Sequence, residues 1–326
     1  MQKYLITGGA GFIGSNFIHY LLEKYSACQI VNLDLLTYAG NLENLADIKA
    51  DSRYHFVQGD INDQELVERL IKTYGCEILV NFAAESHVDR SITGPDVFFQ
   101  TNTQGTLSLL KAAKNQNIQK FLQISTDEVY GSLGQQGYFS ENSPLEPSSP
   151  YSASKAAADM FVLAYAKTFG LNANITRSSN NYGPYQHPEK LIPLMITKGM
   201  QGKKLPIYGT GENIRDWLYV KDNCRAFDTV IHKGQPGEIY NVGAHSEHSN
   251  NEIVHLIVDQ LGLSTDRIEY VADRLGHDQR YALDNSKIKM ELGWQPQAGF
   301  QTCLTQTINW YLNHEPWWRK DKFENS

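Results

Sequence analysis

The sequence predicts an α/β protein: a doubly wound parallel sheet joined to a smaller mixed α/β domain. Three features predict it. Short apolar runs alternate with longer stretches of helical periodicity through the first half of the chain. The first run leads straight into a glycine turn that opens a helix, "ITGGAGFIGS". After "NITRSSNNYGPYQHPEK" the texture shifts to prolines, glycines and aromatics, and strands no longer alternate cleanly with helices.

Taken in order, "KYLIT", "QIVNLD", "YHFVQ", "EILVNFA", "KFLQIS" and "NANITR" read as six strands. The stretches between them carry helical spacing. In "FIGSNFIHYLLEKY" it is shown by Phe17, Leu21 and Leu22, and in "NTQGTLSLLKAA" by Thr106, Leu109 and Leu110. Residues 1–180 are therefore expected to form a Rossmann-type domain. Residues 181–326 are expected to form mainly a substrate-binding domain. Because "RDWLYVKD" and "EIYNVG" still read as sheet strands, the chain is expected to return to the first domain near 214–246 and 281–298. No internal repeat is found, and the tail "RKDKFENS" is expected to fray.

At 326 residues the chain has length for roughly two domains and a sizeable core. Hydrophobic residues at 41% and charged residues at 20% disfavour disorder and a membrane class. A net charge of −7 argues against a nucleic-acid surface, so an anionic ligand would need locally placed cations or backbone amides. The four cysteines are scattered and lack zinc-site spacing; no metal is expected, and a reducing cytoplasm fits best. The amino terminus lacks the apolar core of a signal peptide, and no run approaches the ~20 apolar residues that cross a bilayer, so no membrane partner is expected.

Gly8, Gly9, Gly11 and Gly14 satisfy both GxxGxxG and the overlapping GxGxxG at the first strand-to-helix junction. Glycine allows the tight turn, the close approach of backbone to pyrophosphate and close helix–strand packing, while the helix amino terminus offers N–H groups to an anion. Asp34 lies 20 residues beyond Gly14, at the end of "QIVNLD". There a carboxylate accepts from both adenosine-ribose hydroxyls and repels a 2′-phosphate, so NAD is expected rather than NADP. A glycine turn with a helix-capping aspartate is the competing reading, disfavoured by the position of the motif. Asp60 either contacts adenine or caps the helix "DQELVERLI".

"STDEVYG" places Thr126, Asp127 and Glu128 at the carboxyl end of a buried strand, where ligands sit in parallel sheets. Tyr151 and Lys155 follow, four apart on one helix face. A free phenol is a poor base near neutrality. An ammonium beside it, with the positive charge of oxidised nicotinamide, favours the phenolate and makes Tyr151 a proton acceptor for a sugar hydroxyl. With 18 tyrosines about one such Tyr–Lys spacing arises by chance, and "YLLEK", Tyr20 to Lys24, is read as structural. Tyr151 is set apart because the proline-rich loop "ENSPLEPSSP" lets its helix start beside the strand end. Asp127 and Glu128 exceed what a simple alcohol dehydrogenase or epimerase needs. Once oxidation makes a ketone, one carboxylate can remove the neighbouring acidic proton while the other, kept protonated by mutual repulsion, helps hydroxide leave. The competing role for the pair is a surface or salt-bridging turn.

Ser125, Thr126, Tyr151 and Lys155 in this order resemble the extended branch of the short-chain dehydrogenase/reductase superfamily, with Asn102 in the matching place of the helix after its fourth strand. "STDEVYG", "YSASKAA", "FAAESHVDRSI", "SNNYGPYQHPEKLIPLMI", "IRDWLYVKD" and "RLGHDQRYALD" together resemble the dTDP-glucose 4,6-dehydratase family across nearly the whole chain. The resemblance implies dTDP-glucose or a similar nucleotide sugar as substrate and dTDP-4-dehydro-6-deoxyglucose as product. In that cycle Tyr151 takes the proton of the carbon-4 hydroxyl, Thr126 shares its hydrogen bond and Lys155 orients the nicotinamide ribose. Glu128 removes the carbon-5 proton, Asp127 protonates the hydroxyl leaving carbon 6, and NAD is regenerated and stays bound.

The same resemblance implies a cofactor cradle of Gly8, Gly11, Phe12, Ile13, Gly14, Asp34, Thr37, Asp60, Ile61, Ala83, Ala84, Asn102, Tyr151 and Lys155. It implies substrate contacts at Ser86, His87, Thr126, Asn181, Lys190, Leu191, Pro206, Tyr208, Arg215, Asn250, Arg274 and His277, the arginines being suited to bidentate phosphate contact. Asn250 rather than Asn251 is assigned by register. It further implies a homodimer built through two helices per subunit. Leu35 departs from the family, which usually has a lysine there. The alternatives are a UDP-linked sugar, a 4-epimerase or glucuronate decarboxylase of the same branch, and a non-catalytic dinucleotide sensor. The acid pair weighs against the epimerase and decarboxylase, and the intact Tyr151 and Lys155 against the sensor.

Overall fold

The apolar runs of the first half become strands because helices cover them on both faces. The computed structural model describes residues 1–273 and 278–319. In chain order β1 (Gln2–Thr7), β2 (Cys28–Asp34), β3 (Tyr54–Gln58), β4 (Ile78–Asn81), β5 (Lys120–Thr126) and β6 (Ala173–Ser178) match the six predicted runs. They are followed by β7 (Asn180–Tyr182), β8 (Leu205–Tyr208), β9 (Ile214–Tyr219), β10 (Ile239–Val242), β11 (Glu247–Ser249) and β12 (Ile268–Val271). Seven of these form one wholly parallel sheet in the order β10–β6–β5–β4–β1–β2–β3. The order reverses between β1 and β4, and a crevice opens past the carboxyl ends of strands at such a point.

Side chains alternate across this sheet. Tyr4 and Ile6 of β1 join one core with α1 (Phe12–Lys24), whereas Leu5 joins the opposite core with α2 (Gln64–Tyr74). Short helices α3 (Val88–Thr93) and α4 (Pro95–Phe98) run into a π-helical turn, Phe99–Gly105, and then α5 (Thr106–Asn115). The long helix α6 (Pro150–Phe169) starts where the Ser149 hydroxyl accepts from the Ser152 N–H at 3.1 Å and Pro150 sets the first turn. Gly170 ends it in the left-handed region, φ 67°.

The remaining helices are α7 (Leu191–Met200), α8 (Val220–Lys233), α9 (Asn250–Gln260), α10 (Ser286–Leu292), α11 (Phe300–Asn313) and α12 (Glu315–Trp318). α8 packs beside α1, and Phe227 sits in the same core as Phe17. The two runs expected to rejoin the large sheet differ in fate. "EIYNVG" gives β10, which pairs with β6. "RDWLYVKD" gives β9, which pairs with β7 and β11 in a separate three-stranded sheet. An apolar run announces a strand but does not carry the address of its neighbour. A third core, with Tyr182, Trp217, Ile253, Leu304 and Tyr311, lies under the small sheet and α7, α9 and α11. Of the tail "RKDKFENS", only Arg319 lies within the described residues, and it pairs with Glu315 at 2.8 Å.

Candidate active site

At the carboxyl ends of β1 and β4 the glycine turn lies against the backbone of the next strand's exit. Gly8 has φ 68°, and a Cβ there would stand 2.5 Å from the Ala83 nitrogen; a Cβ on Gly14 would stand 2.4 Å from the Gly8 carbonyl oxygen. Only hydrogen fits at either place. α1 begins with no side-chain cap and no acidic residue in its first turn, so its first N–H groups face the cleft without a competing anion. Both Asp34 oxygens are held by backbone, Oδ2 accepting from Ala10 N at 2.9 Å and Oδ1 from Leu36 N at 2.8 Å. Burial raises the pKa of Asp34, and these two N–H groups oppose the rise. Narrow backbone, free helix N–H groups and an oriented carboxylate are what an NAD pyrophosphate and ribose require, so the residues present fit that group.

One cleft is lined by Gly8, Gly11, Phe12, Ile13, Gly14, Asp34, Thr37, Asp60, Ile61, Ala83 and Ala84 at this end and by Thr126, Asp127, Glu128, Tyr151 and Lys155 at the other. Asp60 lines it and accepts from Asn62 N at 2.8 Å, while the capping role on α2 falls to Asp63, which accepts from Leu66 N at 2.9 Å. Asn102 is expected in the cradle but does not line the cleft. Its amide bridges Glu85 N at 2.9 Å, the Glu85 carbonyl at 3.0 Å and Ser154 Oγ at 2.8 Å, tying the loop after β4 to α6.

Past the end of β5 the chain makes a single 3-10 turn, Asp127–Tyr130, whose first N–H groups are partly met by the Thr126 hydroxyl, 3.3 Å from Glu128 N. The turn sends Asp127 inward, 2% exposed, and leaves Glu128 half-buried. Burial, then Glu128, then Asp216 raise the pKa of Asp127 well above the carboxylate range. Asp127 Oδ1 accepts from the Thr126 hydroxyl at 3.3 Å, whereas Oδ2 meets no hydrogen-bond partner among the described residues. Burial and the neighbouring carboxyl thus bias Asp127 toward its acid form, side by side with Glu128 in the cleft.

Tyr151 is buried in the first turn of α6. Burial and Glu128 push its pKa well up, and the Thr126 hydroxyl pulls it down. The sequence led us to expect the ammonium of Lys155 to lower it; in the protein alone dryness and the nearby carboxyls dominate. Lys155 Nζ donates to the Ile124 carbonyl at 2.6 Å; burial pushes its pKa down to about 8, opposed by Asp159 four residues on. The other Tyr–Lys spacing, Tyr20 and Lys24, closes on a structural hub: Lys24 Nζ donates to Tyr20 Oη at 2.8 Å and to Asp228 at 2.6 Å.

The cleft mouth holds Ser86, Asn181 and Lys190. Lys190 Nζ donates to the Ser86 carbonyl at 3.2 Å, and the Asn181 amide is set by Ser179 O and Asn223, both at 2.9 Å. His87 caps α3 with its Nδ1 rather than lining the cleft, and its Nε2 stands 3.6 Å from Glu189. Leu191 opens α7, Pro206 and Tyr208 lie in β8 and Asn250 opens α9, all outside the cleft lining. The Asn251 amide is committed to Thr210 O and Glu212, each at 2.9 Å. Arg215 is buried behind the acids, its guanidinium donating to the carbonyls of Ile214, Asp278 and Gln279 and resting on Tyr281 at 4.5 Å. Arg274 and His277 lie outside the described residues. Sequence reasoning missed Glu85, Glu189, His187, Asn44 and Trp317, which also line the cleft. Glu189 and His187 sit inside the quoted "YQHPEK", but Asn44 and Trp317 carry no local signal.

No helix among the described residues is long and apolar enough to cross a membrane. A family model described as GDP-mannose 4,6 dehydratase matches residues 5–307. A dTDP-glucose 4,6-dehydratase of Xanthomonas campestris pv. campestris is 50% identical, covering 97% of this chain and 95% of its own. A solved dTDP-glucose 4,6-dehydratase from Bacillus anthracis, in complex with NAD, superposes with TM-score 0.93 at 51% identity over 98% of this chain and 99% of that one. Another from Streptomyces venezuelae, with NAD and TYD bound, gives TM-score 0.95 at 49% identity over the same shares of the two chains, 98% and 99%.

Proposed function

We propose, from the premise that the chain belongs to the dTDP-glucose 4,6-dehydratase family, that it converts dTDP-glucose to dTDP-4-dehydro-6-deoxyglucose and water with a resident NAD. The observation that carries this reading is the buried Asp127, its carboxyl pKa raised by burial, next to Glu128 in the cleft that also holds Tyr151 and the glycine turn. When bound, NAD supplies the reversible two-electron oxidation at carbon 4 that is returned at carbon 6, and its positive ring adds the charge that favours the Tyr151 phenolate.

The chain's own residues do the rest. Tyr151 accepts the proton of the carbon-4 hydroxyl, and Thr126 shares that hydrogen bond. Lys155, fixed by the Ile124 carbonyl, presents its ammonium to the cofactor ribose. Glu128 removes the proton on carbon 5, which the neighbouring ketone has made acidic, and later returns a solvent-exchanged proton to the same carbon. Asp127 gives its proton to the hydroxyl leaving carbon 6, so the elimination ends as water. Gly8, Gly11, Phe12, Ile13, Gly14, Asp34, Thr37, Asp60, Ile61, Ala83 and Ala84 hold the dinucleotide, and Ser86, Asn181 and Lys190 hold the nucleotide sugar. The division into a cofactor domain and a smaller, discontinuous nucleotide-sugar domain belongs to the same reading.

A second copy of the chain is the expected partner. Val97, Phe99, Met160 and Phe161 are apolar and exposed by 38–58%, and they lie on α4, the π-helical turn and α6, which pack together. Four buried, free cysteines suit a reducing cytoplasm.

The test incubates purified protein with dTDP-glucose in deuterated solvent without added NAD. Product lighter by one water and carrying one deuterium at carbon 5 supports the dehydratase; product of unchanged mass supports an epimerase. Glu128→Gln is expected to slow elimination by roughly 10²–10⁴-fold while oxidation at carbon 4 persists as reduced-nicotinamide absorbance. Equal loss of both steps removes Glu128 from its role.

A further inference from the structure

A cofactor restored in every turnover gains nothing by leaving, so something in the chain must keep the glycine turn closed on it. Trp317 of α12 is buried and lines the cleft, although α12 is the last helix described. Its indole Nε1 donates to Asn44 Oδ1 at 2.8 Å. The Asn44 amide in turn donates from Nδ2 to the Ala10 carbonyl at 2.9 Å. Ala10 stands inside the glycine turn, and its own N–H donates to Asp34 Oδ2 at 2.9 Å. A continuous relay of directed bonds thus runs from the carboxyl-terminal helix through Asn44 to the turn and the ribose carboxylate.

The far end of the relay is wedged in place. Trp317 meets Trp310 edge-on at 5.1 Å and Tyr185 at 6.1 Å, and Tyr185 stacks on His19 of α1 at 5.8 Å. Asn44 is 1% exposed, so water cannot replace either of its partners. An indole carries one donor and an amide one carbonyl oxygen, so removing either group deletes the hydrogen bond that joins them.

We propose that Trp317 and Asn44 are positioning residues for cofactor retention: they brace the glycine turn from behind and set how slowly NAD leaves. This rests on the NAD-dependent reading above. The relay crosses between parts of the chain that share no strand, so α12 belongs to the cofactor site without contributing to the proposed chemistry.

The experiment loads the full chain with isotopically labelled NAD, adds excess unlabelled NAD and follows release from the parent, Trp317→Phe, Asn44→Ala and the double variant. Trp317→Phe keeps an aromatic ring in place and deletes the donor; it is expected to release label roughly three- to tenfold faster, the value of one hydrogen bond. Asn44→Ala, which cuts both links, is expected to release faster still. The double variant is expected to release no faster than Asn44→Ala, because the two residues act in series. Activity lost on dilution of either single variant should return on adding NAD, which a merely unfolded protein would not show. Parent-like release from both single variants, effects that multiply in the double variant, or activity that added NAD does not restore each overturns the brace. A parent chain that holds no NAD at all overturns the cofactor reading instead.

Discussion

Asp127→Asn keeps the shape of the side chain and deletes a carboxyl whose pKa the fold raises. Burial, Glu128 and Asp216 raise its pKa, and Arg215 and the Thr126 hydroxyl oppose them only in part. The folded chain therefore binds this proton more tightly than the unfolded chain does. The stabilisation is complete below the unfolded pKa of ~3.9 and is lost as pH rises toward the folded value, at about 1.4 kcal/mol per pH unit. Asparagine carries no such slope. The variant should melt above the parent at pH 7, by about 2–4 °C for each kcal/mol recovered in domains of this size, and the gap should close as pH falls toward ~4. The same change removes the proposed general acid and should cost roughly 10²–10⁴ in turnover. Melting of NAD-saturated protein across that pH range, beside dTDP-glucose turnover at each pH, measures both. A stability difference that ignores pH, or a variant less stable than the parent at neutrality, would falsify the idea that burial raises the pKa of this carboxyl.

Two further outcomes follow from geometry. Asp228 is gripped by Lys24 at 2.6 Å, Tyr25 at 3.0 Å and Tyr20 at 3.1 Å. Burial raises its pKa, but bonds from His232 and Lys24 outweigh that and pull it down to about 2. This stabilisation is present above the unfolded pKa and is lost as pH falls through about 2, so Asp228→Asn should lower stability by about 2 kcal/mol at pH 7 after allowance for solvent screening, read by urea denaturation. Gly14→Ala would set a Cβ 2.4 Å from the Gly8 oxygen and 2.8 Å from the Gly9 Cα, neither of which can yield without opening the turn. The purified variant should carry little or no NAD by nucleotide absorbance while keeping its secondary structure; full NAD content would show that the turn tolerates a side chain.

The sheet was legible because burial on both faces writes an apolar run into the sequence, and the six strands of the first half lie where those runs lie. Which strand neighbours which was less legible. β9 and β10 read alike, and they separate only because β10 covers the edge of β6 while β9 lies between β7 and β11. At the site, Asp127, Glu128, Tyr151 and Lys155 were readable because short-range spacing fixes them on one turn and one helix face. The two Tyr–Lys spacings could be told apart by context, and Asp228, 204 residues beyond Lys24, shows what the other one is for. Asp216 acts on Asp127 from a different sheet, and Trp317 reaches Asn44 across 273 residues; no local pattern encodes such meetings. Asn102 was expected in the cofactor cradle from the family resemblance; its amide is spent on backbone and Ser154, so it braces the loop beside the cleft.

The late arrival of β10 has a consequence for biosynthesis. β6 leaves the ribosome early, yet residues 179–238 must be translated before Ile239–Val242 can pair with it. At ~5–20 residues per second that interval lasts on the order of 3–12 s, during which the edge of β6 that β10 later covers keeps its backbone amides unmatched. A fragment ended within that window would carry this open strand edge, a template for pairing with another chain.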